Sequence, residues 1–148
     1  AMKVFPKHDD VQERACEAIS RLVCGCPQNQ HNAGELGLVQ AVIQVVYGRP
    51  GPPPSLQGAC VSALGSLVAG HAANRSLAGT SGAVEVLATA LRRPAISGDT
   101  AVTEAAAVAI EQFSTDHAEN QLLARKAGVI EILLTLLRQR CDSLHLKA

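Results

Sequence analysis

The sequence predicts an all-α fold of stacked helical units. Three observations predict it: a pair of marker residues recurs three times, apolar residues fall at helical spacing in every copy, and turn-forming residues separate the helices. The markers are Asn29, Asn74 and Asn120 with Gly37, Gly82 and Gly128; copies are spaced 45 and then 46 residues apart, and each Asn precedes its Gly by eight positions. A period in this range marks an array of supersecondary units, because a single helical unit can bury its apolar side only against a neighbour. At 148 residues the chain is long enough for one core. It is read as one domain of repeat-like units at about 10–54, 55–100 and 101–148, with about nine helices.

The first helix is expected from about Asp10 to Cys24, where Ala15, Ala18, Ile19 and Leu22 follow the i, i+3, i+4, i+7 pattern. The same stretch returns as Cys60, Ala63, Leu64 and Leu67, then as Ala106, Ala109, Ile110 and Phe113. Its first three positions stay small or medium-sized, as close helix packing demands. A short helix follows each marker Asn and carries Ala33, Ala78 and Ala124 in register.

After each marker Gly comes a second longer amphipathic stretch. It reads Val39, Val42, Ile43, Val46, then Val84, Leu87, Ala88, Leu91, then Ile130, Leu133, Leu134, Leu137, so all twelve sites are apolar in a chain that is 47% hydrophobic. These faces are expected in the core, and the fold reading requires Leu64, Ile110 and Leu134 to be shielded from water. Gly37, Gly82 and Gly128 sit where the chain must leave one helix and enter the next at an angle, a conformation that costs Gly no steric penalty. The segments 49–55, with four prolines, and Pro94 to Asp99 cannot continue a helix and are expected to be loops, the first a stiff extended strut.

These residues resemble the armadillo repeat family. Asn74-Arg75-Ser76-Leu77-Ala78 to Gly82-Ala83-Val84-Glu85-Val86-Leu87, and Asn120-Gln121-Leu122-Leu123-Ala124 to Gly128-Val129-Ile130-Glu131-Ile132-Leu133, look like that family's first and second helices. Leu56 to Val68 and Val102 to Phe113 match its third helix, and the resemblance covers nearly the whole chain. It implies a right-handed α-α superhelix of about three repeats. In the family's phase the chain opens in a third helix and stops after a second helix near Arg140, and Ala1-Met2-Lys3 looks like the tail of a preceding second helix. That phase implies a segment of a longer array or ends adapted as caps. An unmodified cut leaves apolar faces at the ends, which favours end-to-end association.

The resemblance also implies where a partner sits. In armadillo proteins the third helices line a concave groove that holds an extended or helical peptide. The outward positions there form three rungs: Glu13, Glu17, Arg21; Gly58, Ser62, Ser66; and Glu104, Val108, Gln112. Nuclear-import armadillo adaptors resemble one another in carrying Trp, and Asn four residues later, on those helices. Here the corresponding residues are Glu17, Ser62 and Val108, then Arg21, Ser66 and Gln112, so the resemblance does not extend to binding nuclear-localisation signals. Nor do Lys and Arg line the groove, as they do in catenin-type members. Small residues at Gly58, Ser62 and Ser66 allow close approach of a bulky side chain. Glu13, Glu17, Glu104 and Glu111 favour scattered positive charge, although solvated helix faces carry such charges without any function.

Composition narrows the function classes. Thirteen basic and thirteen acidic residues cancel, and no Lys/Arg run exceeds two, which argues against a nucleic-acid partner. Apolar stretches are too short and too interrupted to span a bilayer, and no signal-peptide succession opens the chain. With Phe5, Tyr47 and Phe113 as its aromatics, the chain has little with which to grip by ring stacking. Five cysteines, Cys16, Cys24, Cys26, Cys60 and Cys141, are an odd number, and Cys16 and Cys60 fall in helical core patterns; a reducing intracellular location, cytoplasmic or nuclear, is expected.

Candidate chemistry is sparse. Cys24-Gly25-Cys26 near His31 has the wrong spacing for a zinc knuckle and lacks a second pair, so no metal is expected. His71 and His117 are register-equivalent, with Cys26 in the first copy, and lie where a side chain caps a helix N-terminus. No phosphate loop, Gly-x-Ser-x-Gly elbow or His-Glu-x-x-His helix is present. The Pro50-x-x-Pro53 spacing reads as a spacer rather than an SH3 ligand. The chain is therefore read as a non-catalytic module without cofactors that binds a protein or peptide, or else as a structural segment of a longer array whose own groove stays empty.

Overall fold

A computed structural model describes residues 8–47, 49–93 and 100–145, with side chains through 138. Among these residues the chain is all-α: nine helices and no strand. They are α1 (Asp9–Val23), α2 (Pro27–Glu35), α3 (Leu38–Val46), α4 (Pro54–Val68), α5 (Ala72–Thr80), α6 (Ala83–Leu91), α7 (Ala101–Ser114), α8 (Ala118–Lys126) and α9 (Val129–His145). The expected loop from Pro94 to Asp99 and the Ala1-Met2-Lys3 segment lie outside the described residues.

Equivalent helices of successive copies pack on one another. Helix α4 lies between α1 and α7, α5 touches both α2 and α8, and α6 touches both α3 and α9. Between these rows, α3 packs on α4 and α6 on α7.

Local chemistry sets the ends of the helices. Gly37, Gly82 and Gly128 have φ of 73°, 84° and 74°, left-handed values that a Cβ disfavours. A second left-handed position ends each helix of the α1, α4, α7 row, and it is Gly25, Gly70 and then Asp116, with φ of 67°, 68° and 50°. Pro27 and Pro54 open α2 and α4, where their missing N–H costs nothing. As expected, His71 caps α5, its Nδ1 accepting from the Asn74 backbone N–H at 3.2 Å, and His117 caps α8 in the same way from Asn120 at 3.3 Å. Cys26, at the matching place, makes no side-chain cap bond.

The marker Asn joins the copies. Asn74 Nδ2 donates to the Leu67 carbonyl behind it and to the Gln30 carbonyl of the previous copy, both at 2.9 Å. Asn120 repeats the arrangement with Phe113 at 2.9 Å and Arg75 at 3.0 Å. Both side chains are buried, so each bond satisfies a carbonyl beyond the reach of water. The seat for each Asn is a glycine of the preceding copy: a Cβ on Gly34 or Gly79 would lie 2.1 or 2.2 Å from the Oδ1 of Asn74 or Asn120. Among the described residues Asn29 has no such neighbour; it is exposed and donates to the Leu22 carbonyl at 2.7 Å.

The core follows the apolar pattern in the interior and departs from it at both ends. Val39, Val42, Ile43 and Val46 are buried, as are Val84, Leu87, Ala88 and Leu91, and so are Leu64 and Ile110. Leu134, however, is 45% exposed, and Ile130 and Leu137 are 60% and 68% exposed. The expectation for that face was wrong, because no described helix packs where α4 covers α3 and α7 covers α6. The opposite end mirrors it: Ala18 is exposed and Leu22 is 65% exposed, whereas the matching Ala63 and Leu67 are fully buried in α4, which packs on α3. The proline segment also departs from a straight strut. Gly51 turns it at φ 63°, Pro52 is buried, and Arg93 Nη1 donates to the Pro52 carbonyl at 3.2 Å and to Gln57 Oε1 at 2.7 Å.

Candidate functional site

The face formed by α1, α4 and α7 owes its shape to small side chains. A Cβ on Gly65 would sit 3.3 Å from the Cα of Ala109, so α4 and α7 approach closely enough that a larger residue there would press on the α7 backbone. Ser20 and Ser66 share a 2.9 Å hydroxyl hydrogen bond between α1 and α4. Beneath them the thiols of Cys16 and Cys60 meet at 3.4 Å, both fully buried. That thiol hydrogen bond, and then burial, push Cys60 upward from its ordinary ionisation range, which keeps it a protonated core group rather than a nucleophile.

Two adjoining concavities run along this face. One, of about 660 Å³, is lined by Glu13, Glu17, Arg21, Gly58 and Ser62 together with Ser20, Ala59 and Ala105 among others. The second, of about 340 Å³, is lined by Ser62, Ser66, Val108 and Gln112, and it shares Ser20 and Ala105 with the first. Eight of the nine sequence-predicted rung residues therefore line one continuous trough, and none of the nine is buried. Glu104 lines neither concavity; it accepts a hydrogen bond from Thr100 at the start of α7. The sequence reading missed the row beside the rungs, Ser20, Ala59 and Ala105. Ala59 and Ala105 are one repeat apart, a signal that could have found them.

The charge in the trough is weaker than the count of carboxylates suggests. Glu17 is engaged by Arg14 at 2.9 Å, a surface pair whose hydrogen bond and charge raise the ionisation range of Arg14. Glu13 and Arg21 are then left as opposite charges on one lip, with hydroxyls and the exposed Val108 further along. Such a surface suits an extended chain of mixed character: hydroxyls and Gln112 can meet backbone amides, and the glycines leave room for side chains.

Of the remaining candidates for chemistry, Cys24 is exposed and lines the second concavity, whereas the two capping histidines line neither. His71 and His117 have their Nδ1 atoms occupied as helix caps, and His117 Nε2 lies 2.9 Å from Ser76 Oγ. Among the described residues no group of three or more His, Cys, Asp or Glu side chains could hold one metal ion. No described helix is long and apolar enough to cross a membrane. Compared with protein-family models, with curated proteins and with solved structures, the chain has no match in any of the three.

Proposed function

We propose that this chain is an armadillo-type solenoid, its copies wound into a right-handed superhelix, that binds an extended peptide along the α1, α4, α7 trough without catalysis. One observation carries the reading: eight of the nine rung residues that the armadillo resemblance implies line adjoining concavities across three neighbouring helices. Further support comes from the repeated Asn bridges, which tie the second and third copies to the one before at register-equivalent carbonyls, 44 and 45 residues back. In this reading the helices are a rigid ruler. Each rung offers the peptide one subsite, with successive subsites about 10 Å apart. The Glu13 and Arg21 lip sets polarity, and Ser62, Ser66 and Gln112 hold the peptide backbone.

The test is selection of binders from a random dodecapeptide display library, followed by titration against the triple variant Arg21→Glu, Ser62→Arg, Gln112→Glu. Selected peptides should lose at least about tenfold in affinity, equivalent to about 1.4 kcal/mol. The melting curve should barely change, because these positions are exposed or half-buried. Peptides that bind both proteins equally, or a library that yields none, would defeat the proposal in favour of a structural segment with an empty groove.

A further inference from the structure

Among the described residues, the exposed apolar faces of α1 and α9 are complementary to each other. Inside the molecule Val39, Ile43 and Val46 of α3 are buried and α3 packs on α4, while Val84, Ala88 and Leu91 of α6 are buried and α6 packs on α7. The matching residues of α9 are Ile130, Leu134 and Leu137, all exposed. The covering side in the interior is the α4 row containing Leu56, Ala63 and Leu67, each fully buried, and on α1 the matching Val11, Ala18 and Leu22 are exposed. One end thus presents half of an interface, and the other end presents the half that completes it.

We infer that α9 of one copy docks on α1 of a second copy, head to tail, in the manner of the α3–α4 and α6–α7 contacts, and that Arg125 holds this contact weak. A polar contact continues across the same register. Arg92, at the end of α6, donates to the Ala127 carbonyl of the next copy at 2.8 Å. Arg138 stands one repeat later and is exposed, facing the position that Leu36 of a docked chain would occupy. Arg125 is the break in the pattern. It replaces Gly34 and Gly79, whose missing Cβ atoms make room for Asn74 and Asn120. In a docked copy Asn29 would meet the Arg125 Cβ and must turn aside, forfeiting its bond to the Gln121 carbonyl, the counterpart of Gln30 and Arg75. The contact is heterologous, so a dimer keeps one free end of each kind and can add further copies.

Sedimentation equilibrium of the whole chain tests this. The wild type should show an average mass that climbs with concentration, and Arg125→Gly should tighten the association about tenfold or more. Leu22→Glu and Leu134→Glu, both at exposed positions, should each be monomeric with unchanged circular dichroism melts. An equimolar mixture of those two variants should form a dimer and stop there, since each retains the end the other lacks. Several results would overturn the inference: a mixture that stays monomeric, Leu22→Glu associating as the wild type does through a symmetric α9 pair, or Arg125→Gly no tighter than the wild type. A wild type and Arg125→Gly both monomeric at millimolar concentration would overturn it too.

Discussion

Helices α6 and α9 carry the same apolar pattern at the same register, yet Val84, Ala88 and Leu91 are in the core while Ile130, Leu134 and Leu137 face solvent. The difference is the neighbour: α7 packs on α6, and among the described residues no helix takes the equivalent place on α9. An amphipathic pattern therefore specifies that a face can be buried, and the adjoining unit decides whether it is. The contrast extends to polar groups. Asn120 and Asn29 are the same marker, but only Asn120 reaches into a preceding copy and is buried.

The contrast is sharpest for core truncation. Leu64→Ala, at a site 1% exposed, should cost about 2–5 kcal/mol in urea unfolding, since lost burial and the cavity left behind add. Leu134→Ala should stay within about 1 kcal/mol, because water already wets that face. Equal losses at the two sites would mean that α9 is covered in solution.

A smaller effect separates the marker residues. Asn120→Ala should cost about 2 kcal/mol, because it strands the buried carbonyl partners Phe113 and Arg75. Asn29→Ala should cost about 0.5 kcal/mol, one exposed bond's worth. If the two losses match in chemical denaturation, the bridge between copies contributes nothing beyond the local turn.

The smallest effect compares the third left-handed position with its two glycine counterparts. Asp116→Gly should raise stability by about 0.5–1 kcal/mol, read as a higher melting temperature, by removing the Cβ strain that Gly25 and Gly70 avoid. A fall in melting temperature would show that Asp116 holds its turn through its side chain.

Much of the candidate site was legible because its residues repeat. Glu17, Ser62 and Val108 were set side by side by the repeat and the family resemblance together, and each lines one of the two adjoining concavities. The contribution of charge was not legible. That Arg14 engages Glu17 and that Thr100 engages Glu104 depends on rotamers and near neighbours, which no period encodes. The bend of the proline segment at Gly51 was hidden for a related reason: Arg93, more than forty residues away, anchors it.

The amino-acid sequence by itself determined the helices, their order and the left-handed turns between them, because periodicity, glycine and histidine caps act over a few residues. Tertiary structure alone decided which of those equivalent faces became core and which stayed wet. Burial belongs to pairs of helices, and α1 and α9 each display a face whose partner lies on another helix.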